Sequence, residues 1–287
     1  MAVRQRTKAL LSSRLSGASW QNPLVKSVLP AIDRADAVAR RRLGLEHLPP
    51  YSLRMRSNGV DGQFGGYTFF RLGRVLARDL ELYCGLTAAS DVLEIGCGVG
   101  RVAIALQDKY PALSYAGLDV DRMSVVACRS NPQLAASGFE FVLADIATDL
   151  YNASGTIGAE SFVLPFPDES KDVIYLVSVF THMLPRECEN YAREIMRVLR
   201  PGGRCAVTTL LLDRGDVKNL HDWTIDGDLC LRFPKTPRKM IGHTSDALVR
   251  WFDRSPETVV GGVWRGGPDM DFEQHHDFSQ DLIVFRK

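Results

Sequence analysis

The sequence is short of several things, and each shortage closes an option. No apolar run approaches the ~20 residues a helix needs to span a bilayer. The longest, Val173 to Phe180, has the length of a strand. The amino terminus has no apolar block of the secretory kind. Up to Trp20 it is rich in Arg and Ser and poor in acids, and it reads as an extension of a cytoplasmic protein. The cysteines (Cys84, Cys97, Cys128, Cys188, Cys205, Cys230) include no Cys-x-x-Cys pair and no cysteine–histidine spacing of a zinc site. Mostly set in apolar stretches, they read as free buried thiols in a reducing compartment. Excess charge is lacking too: 35 Lys and Arg face 34 Asp and Glu, which gives no global attraction to nucleic acid or anionic lipid. Internal repeats and low-complexity tracts are also absent.

What is present is an ordinary globular composition, 45% hydrophobic and 24% charged over 287 residues, enough for one large domain with appendages. Charge is uneven along it. Up to Arg56 there are 11 Lys and Arg against three acids, Asp33, Asp36 and Glu46. The densest run, Arg40-Arg41-Arg42, reads as a solvated helix face rather than a nucleic-acid or membrane contact. Residues 1–60 therefore form a basic helical extension or lid, broken at Leu48-Pro49-Pro50 and followed by turn signals at Asn58-Gly59 and Asp61-Gly62. Residues 61–287 form the main domain, with a core over 88–212, an insertion over about 212–256 and closing strands over 257–287.

Within that core, apolar strands alternate with helices. Strands are expected at 91–95, 114–119, 139–145, 172–180 and 204–212, and helices at 101–106, 122–129 and 187–199. The last helix shows a 3.6-residue period in Tyr191, Ile195, Met196 and Leu199 and stops before Pro201-Gly202-Gly203. Such alternation predicts an α/β fold, a doubly wound and mostly parallel seven-stranded sheet. Two late strands, 258–263 and 280–285, have no helix-length segment between them and should pair antiparallel at the sheet edge. Ligands of such folds lie at the carboxyl ends of the strands.

The strongest motif sits there: Glu94-Ile-Gly-Cys-Gly-Val-Gly100, after a strand and before a helix. Gly96, Gly98 and Gly100 permit a sharp turn and close approach to a ligand. The helix start behind them should offer free N–H donors. The spacing is not the Gly-x-Gly-x-x-Gly of dinucleotide binding. Glu94, two residues before the first glycine, suits a cationic amino group and would repel a pyrophosphate. Asp119, 19 residues past Gly100 at the next strand end, can accept from ribose hydroxyls. Asp145 ends the third strand, placed to meet an adenine amino group.

In order and spacing, these elements resemble the class I S-adenosylmethionine-dependent methyltransferases. Val92 to Arg101 is similar to the family's first motif, Leu118-Asp119 to its ribose-binding acid and Ala144-Asp145-Ile146 to its adenine-binding segment. Leu164 to Asp172 leads into the fourth strand as in many members, and Val198 to Gly203 matches the turn before the fifth. The resemblance covers about residues 88–212. It implies a Rossmann-like fold and S-adenosylmethionine as cofactor, held by Glu94, Gly96, Gly98, Gly100, Asp119, Val120, Asp145, Ile146 and Ser178.

The phrase Ser178-Val-Phe-Thr-His-Met183 resembles a subgroup that often methylates hydroxyls of sugars or other small molecules. It makes His182 the candidate base that takes the acceptor's proton, with Ser178 and Thr181 capping the next helix or touching the cofactor. Phe64-Gly-Gly-Tyr-Thr-Phe-Phe70 reads as a lid or cofactor-contacting loop with exposed glycines, and Tyr67 is its candidate contact. Asp269, Asp271, Glu273, His275, His276 and Asp277 could hold a divalent metal, but a polar loop is the favoured reading. Trp223, Trp251 and Trp264 read as core residues or as the floor of an acceptor pocket.

The expected activity is O-methylation of a hydroxyl on a small molecule or glycan. N- or C-methylation is the first alternative, and a nicotinamide-dependent oxidoreductase the second. No Asn/Asp-Pro-Pro-Tyr signature of amino-group methylation follows the fourth strand. No nucleic-acid partner is expected, and a homodimer is compatible with the sequence.

Overall fold

The computed structural model describes residues 23–58, 64–149, 151–213, 222–262, 275–276 and 280–287. The strands are β1 (Asp91–Ile95), β2 (Ser114–Asp119), β3 (Glu140–Leu143), β4 (Lys171–Leu176), β5 (Leu199–Thr209), β6 (Thr224–Asp226), β7 (Leu229–Leu231), β8 (Ile241–Gly242), β9 (Thr258–Gly262), β10 (His275–His276) and β11 (Asp281–Arg286). Seven of them build the main sheet in the order β3-β2-β1-β4-β5-β11-β9, and β10 adds a two-residue edge beyond β9. The first five are mutually parallel, and β11 runs antiparallel to both β5 and β9. The expected doubly wound sheet with an antiparallel closing strand is thus present.

Its two faces are covered by different helices, and the two-residue period of each strand divides the side chains between them. Val92, Val173 and Tyr175 pack on one face with α3 (Tyr67–Cys84), α4 (Arg101–Lys109), α5 (Arg122–Arg129) and α6 (Pro132–Ala136). Leu93, Ile95, Ile174 and Leu176 pack on the other with α7 (Pro185–Val198) and α8 (Ser245–Phe252). Cys188, Tyr191, Ala192, Ile195 and Val198 form the buried stripe of α7, and each large aliphatic there contributes about 1.5–3 kcal/mol by burial. Gly73 lets α3 approach α4 closely: a Cβ on it would lie 2.4 Å from the Arg101 carbonyl oxygen.

Two details depart from the sequence reading and one extends it. β4 stops at Leu176, because Ser178 takes a left-handed φ of 61° and turns the chain out of the sheet. The Pro-Gly-Gly segment is a bulge inside β5 instead of a turn before it. Leu199 pairs with Lys171 and Arg204 with Val173, and Arg200 bridges Asp91 and Asp172 at 2.7 and 2.8 Å beside the looped-out residues. The insertion, which the sequence reading bounded without assigning elements to it, holds β6, β7 and β8 as a small antiparallel sheet ahead of α8.

The extension supplies α1 (Pro23–Arg42) and α2 (Tyr51–Asn58), helical as expected. Arg40, however, does not belong to a solvated face; of the arginine run, only Arg41 and Arg42 are exposed. Arg40 is buried against Asp36 one turn earlier, at 2.8 Å, and donates to the carbonyls of Glu46 and Leu48, which have left the helix and need donors. Asp36 also accepts from Arg54 at 2.5 Å and from the Gly65 N–H at 2.7 Å. Leu45 and Leu48 join the same core as α3 and α4.

Glu94, in β1, is 2% exposed and faces α4. The hydroxyls of Tyr115 in β2 and Tyr175 in β4 donate to the same carboxylate oxygen at 2.5 and 2.8 Å, which ties three adjacent strands together. Burial raises Glu94 to about 7, outweighing the tyrosine bonds and the nearby charge of Arg101. The folded value lies above the unfolded one. Its stabilising contribution is therefore whole below about pH 4.5 and is lost as the pH rises through about 7. Glu94→Gln keeps the shape and an acceptor oxygen for the tyrosines but removes the charge. In cofactor-free protein it is expected to exceed the parent's stability near pH 8, by up to about 3 kcal/mol, and to differ little near pH 5. Urea titrations at the two pH values measure this, and an equal gap at both would show that the carboxyl titrates normally.

Candidate active site at the carboxyl edge of the sheet

The carboxyl ends of the central parallel strands open into one cleft. Gly96 and Gly98 line it after β1, and Asp119, Val120 and Asp121 after β2. Ile146, Ala147 and Thr148 follow β3, and Val177, Ser178, Val179 and His182 follow β4. The sequence-predicted Gly96, Gly98, Asp119, Val120, Ile146, Ser178 and His182 are therefore brought together.

Glycine is required at 96, where φ is 78° and a Cβ would come 2.4 Å from Val179 Cγ2. The loop is then tied to the end of β2. Gly96 and Cys97 N–H groups donate to the Leu118 carbonyl at 2.7 and 3.1 Å, and Gly98 N–H donates to Asp119 Oδ2 at 2.6 Å. Gly100 N–H donates to the Cys97 carbonyl. The N–H groups of 96, 97, 98 and 100 are thus used inside the fold. Gly100 does not line the cleft; it caps α4 in a left-handed conformation, against Leu134 and Cys128.

Asp119 is 9% exposed. Burial raises its pKa to about 6, although backbone N–H groups of Asp121, Gly98 and Val120 favour the charged form. Asp121 caps α5 by accepting from the Ser124 N–H and hydroxyl. Ser178 hands its N–H to Thr208 Oγ1 at 2.9 Å, and its carbonyl accepts from the Thr181 hydroxyl at 2.8 Å. Its left-handed backbone is uncommon for a non-glycine residue and is held by these bonds.

Besides Gly100, three expected contacts lie elsewhere. Glu94 is behind the cleft, on the opposite side of β1 from the cleft-lining Ile95. Asp145 is exposed and accepts from Thr156 Oγ1 at 2.5 Å, while its neighbour Ile146 lines the cleft. Tyr67 is 59% exposed and lines a surface groove with Phe70, Arg71 and Arg74. The glycines before it are buried rather than exposed, because Gly66 passes directly under Leu48 and Arg54.

The Asp269–Asp277 cluster lies outside the described residues except for His275 and His276, and Trp264 lies outside as well. Among the described residues, no group of three or more His, Cys, Asp or Glu side chains could hold a metal ion. Trp251 is core, edge-on to Phe180 and His243, and Trp223 is partly buried beside β6.

His182 stands in the turn Phe180–His182 and lines the same cleft. Its Nδ1 is 2.8 Å from the Arg238 carbonyl oxygen, and Tyr151 meets its ring edge-on at 6.3 Å. Burial holds its pKa below the usual histidine value. Tyr151, Met183, Glu187, Tyr191 and Arg238 line the cleft too. None of these five was identified from sequence. Glu187 carried a signal, the Pro-x-Glu start of a helix, but Arg238 comes from the insertion and carried none.

The cleft matches a nucleoside better than a dinucleotide. Ile95, Leu118, Val120 and Ile146 offer an apolar wall for a purine, and Asp119 an acceptor for a diol. A pyrophosphate would face that carboxylate and find the nearest loop N–H groups already bonded. The backbone at Gly96 and Gly98 lines the rest of the cleft without a side chain.

Comparisons agree with this geometry. A family model described as "Methyltransferase domain" matches residues 93–207. The phthiotriol/phenolphthiotriol dimycocerosates methyltransferase 1 of Mycobacterium ulcerans (strain Agy99) is 36% identical over 209 residues, covering 68% of this chain and 69% of that one. A fatty-acid O-methyltransferase of Mycolicibacterium smegmatis is 35% identical over 129 residues, 43% of this chain and 40% of that one. The crystal structure of the PH0226 protein from Pyrococcus horikoshii OT3 shares the fold, with a TM-score of 0.54 at 17% identity, covering 82% of this chain and 97% of that one. A glycine loop tied to a strand-end carboxylate, together with 36% identity over about two thirds of each chain, places the protein in a family: it belongs to the class I S-adenosylmethionine-dependent methyltransferases.

Proposed function

We propose that the protein methylates a hydroxyl on an apolar small molecule, with His182 as general base. The observation that carries this is a partly buried histidine, its pKa lowered by burial, in the same cleft as Gly96, Gly98 and Asp119 and walled by Tyr151, Met183, Ala159 and Tyr191. Those walls suit a lipid-like acceptor better than a glycan. The relatives support an oxygen acceptor, since one is named a fatty-acid O-methyltransferase and another acts on phthiotriol dimycocerosates.

S-adenosylmethionine supplies an electrophilic methyl group on a positively charged sulfur. The protein's own part is alignment and proton handling. Asp119 would accept from the ribose hydroxyls, and Leu118, Val120 and Ile146 would give the base apolar contact. His182 takes the acceptor's proton as its oxygen attacks, a role worth about 10²–10⁴ in rate.

Two outcomes test the assignment. Asp119→Asn must turn an amide N–H₂ toward either the Gly98 or the Asp121 N–H, so loop and ribose site both suffer. Calorimetry is expected to show at least a tenfold weaker affinity for S-adenosylhomocysteine, because a bond to a charged group is worth about 1.5–3 kcal/mol. In the parent, that affinity should fall as the pH drops through about 6, where Asp119 gains a proton.

The second test is His182→Gln, assayed with labelled cofactor on long-chain alcohols, phenols, glycans and fatty acids, with and without chelator. Turnover of hydroxyl acceptors should drop about 10²–10⁴-fold while cofactor affinity stays within threefold. A carboxylate is already ionised and needs no base. Preferential turnover of fatty acids, equal in parent and variant, would therefore replace the hydroxyl reading with carboxyl methylation.

A further inference from the structure

The bond between His182 Nδ1 and the Arg238 carbonyl determines more than the ring's position. A carbonyl oxygen only accepts, so at 2.8 Å Nδ1 must carry the hydrogen and Nε2 the lone pair. Arg238 lies in the short turn Pro237–Lys239 of the insertion, distant in sequence from the sheet core. Its guanidinium grips Glu187 with two bonds, 2.6 and 2.7 Å, and reaches back to the His182 carbonyl at 3.5 Å. Glu187 is itself fixed near the start of α7, where it accepts from the Leu184 N–H at 2.7 Å.

The result is a closed ring of bonds. The histidine ring holds the arginine backbone, and the arginine side chain holds the element that follows the histidine. Burial keeps the imidazole neutral, so its tautomer decides whether the cleft meets a proton acceptor or an N–H. Tyr151 lies edge-on to the ring, and Asp149 and Glu160 add charge on the Arg238 side.

Resting on the reading of His182 as base, we propose that the Glu187–Arg238 ion pair is a positioning lock that sets the Nδ1–H tautomer of His182 and leaves Nε2 as the basic atom. Neither side chain takes a proton in the reaction. They act through the ring, as an outer partner does when it orients a histidine. A histidine held in the wrong tautomer loses up to about 10⁴ in rate in a hydrolytic triad, which shows the scale available.

The test is long-range ¹H–¹⁵N NMR on protein labelled at histidine, near pH 7.5, with His182 assigned by its absence in His182→Gln. The parent should show a protonated Nδ1 and a bare Nε2. Glu187→Gln keeps an acceptor for the Leu184 N–H, and Arg238→Lys keeps the positive charge but loses the fork. Both should shift His182 to a mixture of tautomers and lower kcat at least tenfold on a hydroxyl acceptor. Affinity for S-adenosylhomocysteine should hold, and neither change should add to His182→Gln.

A parent with Nε2–H, or variants with an unaltered tautomer, would overturn the lock. Full activity in His182→Gln would sink the base assignment, and with it the lock's catalytic meaning, even where the NMR result is as expected.

Discussion

The carboxylate of Asp119 is the interaction on which the site depends. One oxygen accepts the Gly98 N–H and the other the Asp121 N–H, so a single side chain joins the loop after β1 to the turn after β2. A carboxylate has about four lone-pair directions, so these bonds leave it acceptor capacity for a ligand. The group that would recognise the ribose is therefore the group that shapes the glycine loop, and cofactor recognition and loop geometry cannot be altered separately. Its elevated pKa follows from the same arrangement: a carboxyl buried deeply enough to be preorganised bears the desolvation of its charge until a ligand donates to it.

Much of this was legible in the sequence. The alternation of strands and helices carried the doubly wound sheet, and the turn after the second strand carried Asp119, because both are local patterns with fixed periods. What failed were statements about where a side chain points. Glu94 and Asp145 each sit next to a residue that lines the cleft, yet neither lines it, and Tyr67 lies in a separate surface groove. A strand reverses face at every residue, so proximity in sequence to a strand end does not establish that an acid looks into the cleft. Glu94 shows this most clearly. Its neighbour Ile95 lines the cleft, while Glu94 is held beneath by Tyr115 and Tyr175, two partners visible only once β1, β2 and β4 are laid side by side.

The acceptor end was the least legible part, for a different reason. His182 belongs to a phrase that a reader of sequence can single out. Its partner Arg238 lies 56 positions later, in an insertion with weak periodicity, and contributes a backbone atom, which no residue type announces. The insertion thus supplies part of the surroundings of His182, while the ends of the parallel strands supply the rest of the cleft. That division fits a family in which one fold serves many acceptors.

The amino-terminal helices bear on how the chain can be divided. Leu45 and Leu48 sit in the core beneath α3, and Asp36 joins Arg40, Arg54 and the Gly65 backbone in a dry polar knot. Severing the chain near residue 60 would keep Asp36, Arg40 and Arg54 together on one fragment, strip the Gly65 N–H on the other of its acceptor and uncover part of the main apolar interior. The extension is consequently not a detachable module that recombination could exchange between relatives. Its evolution is bound to that of the glycine pair at 65 and 66, and a graft that imported one without the other would inherit a hole or a collision.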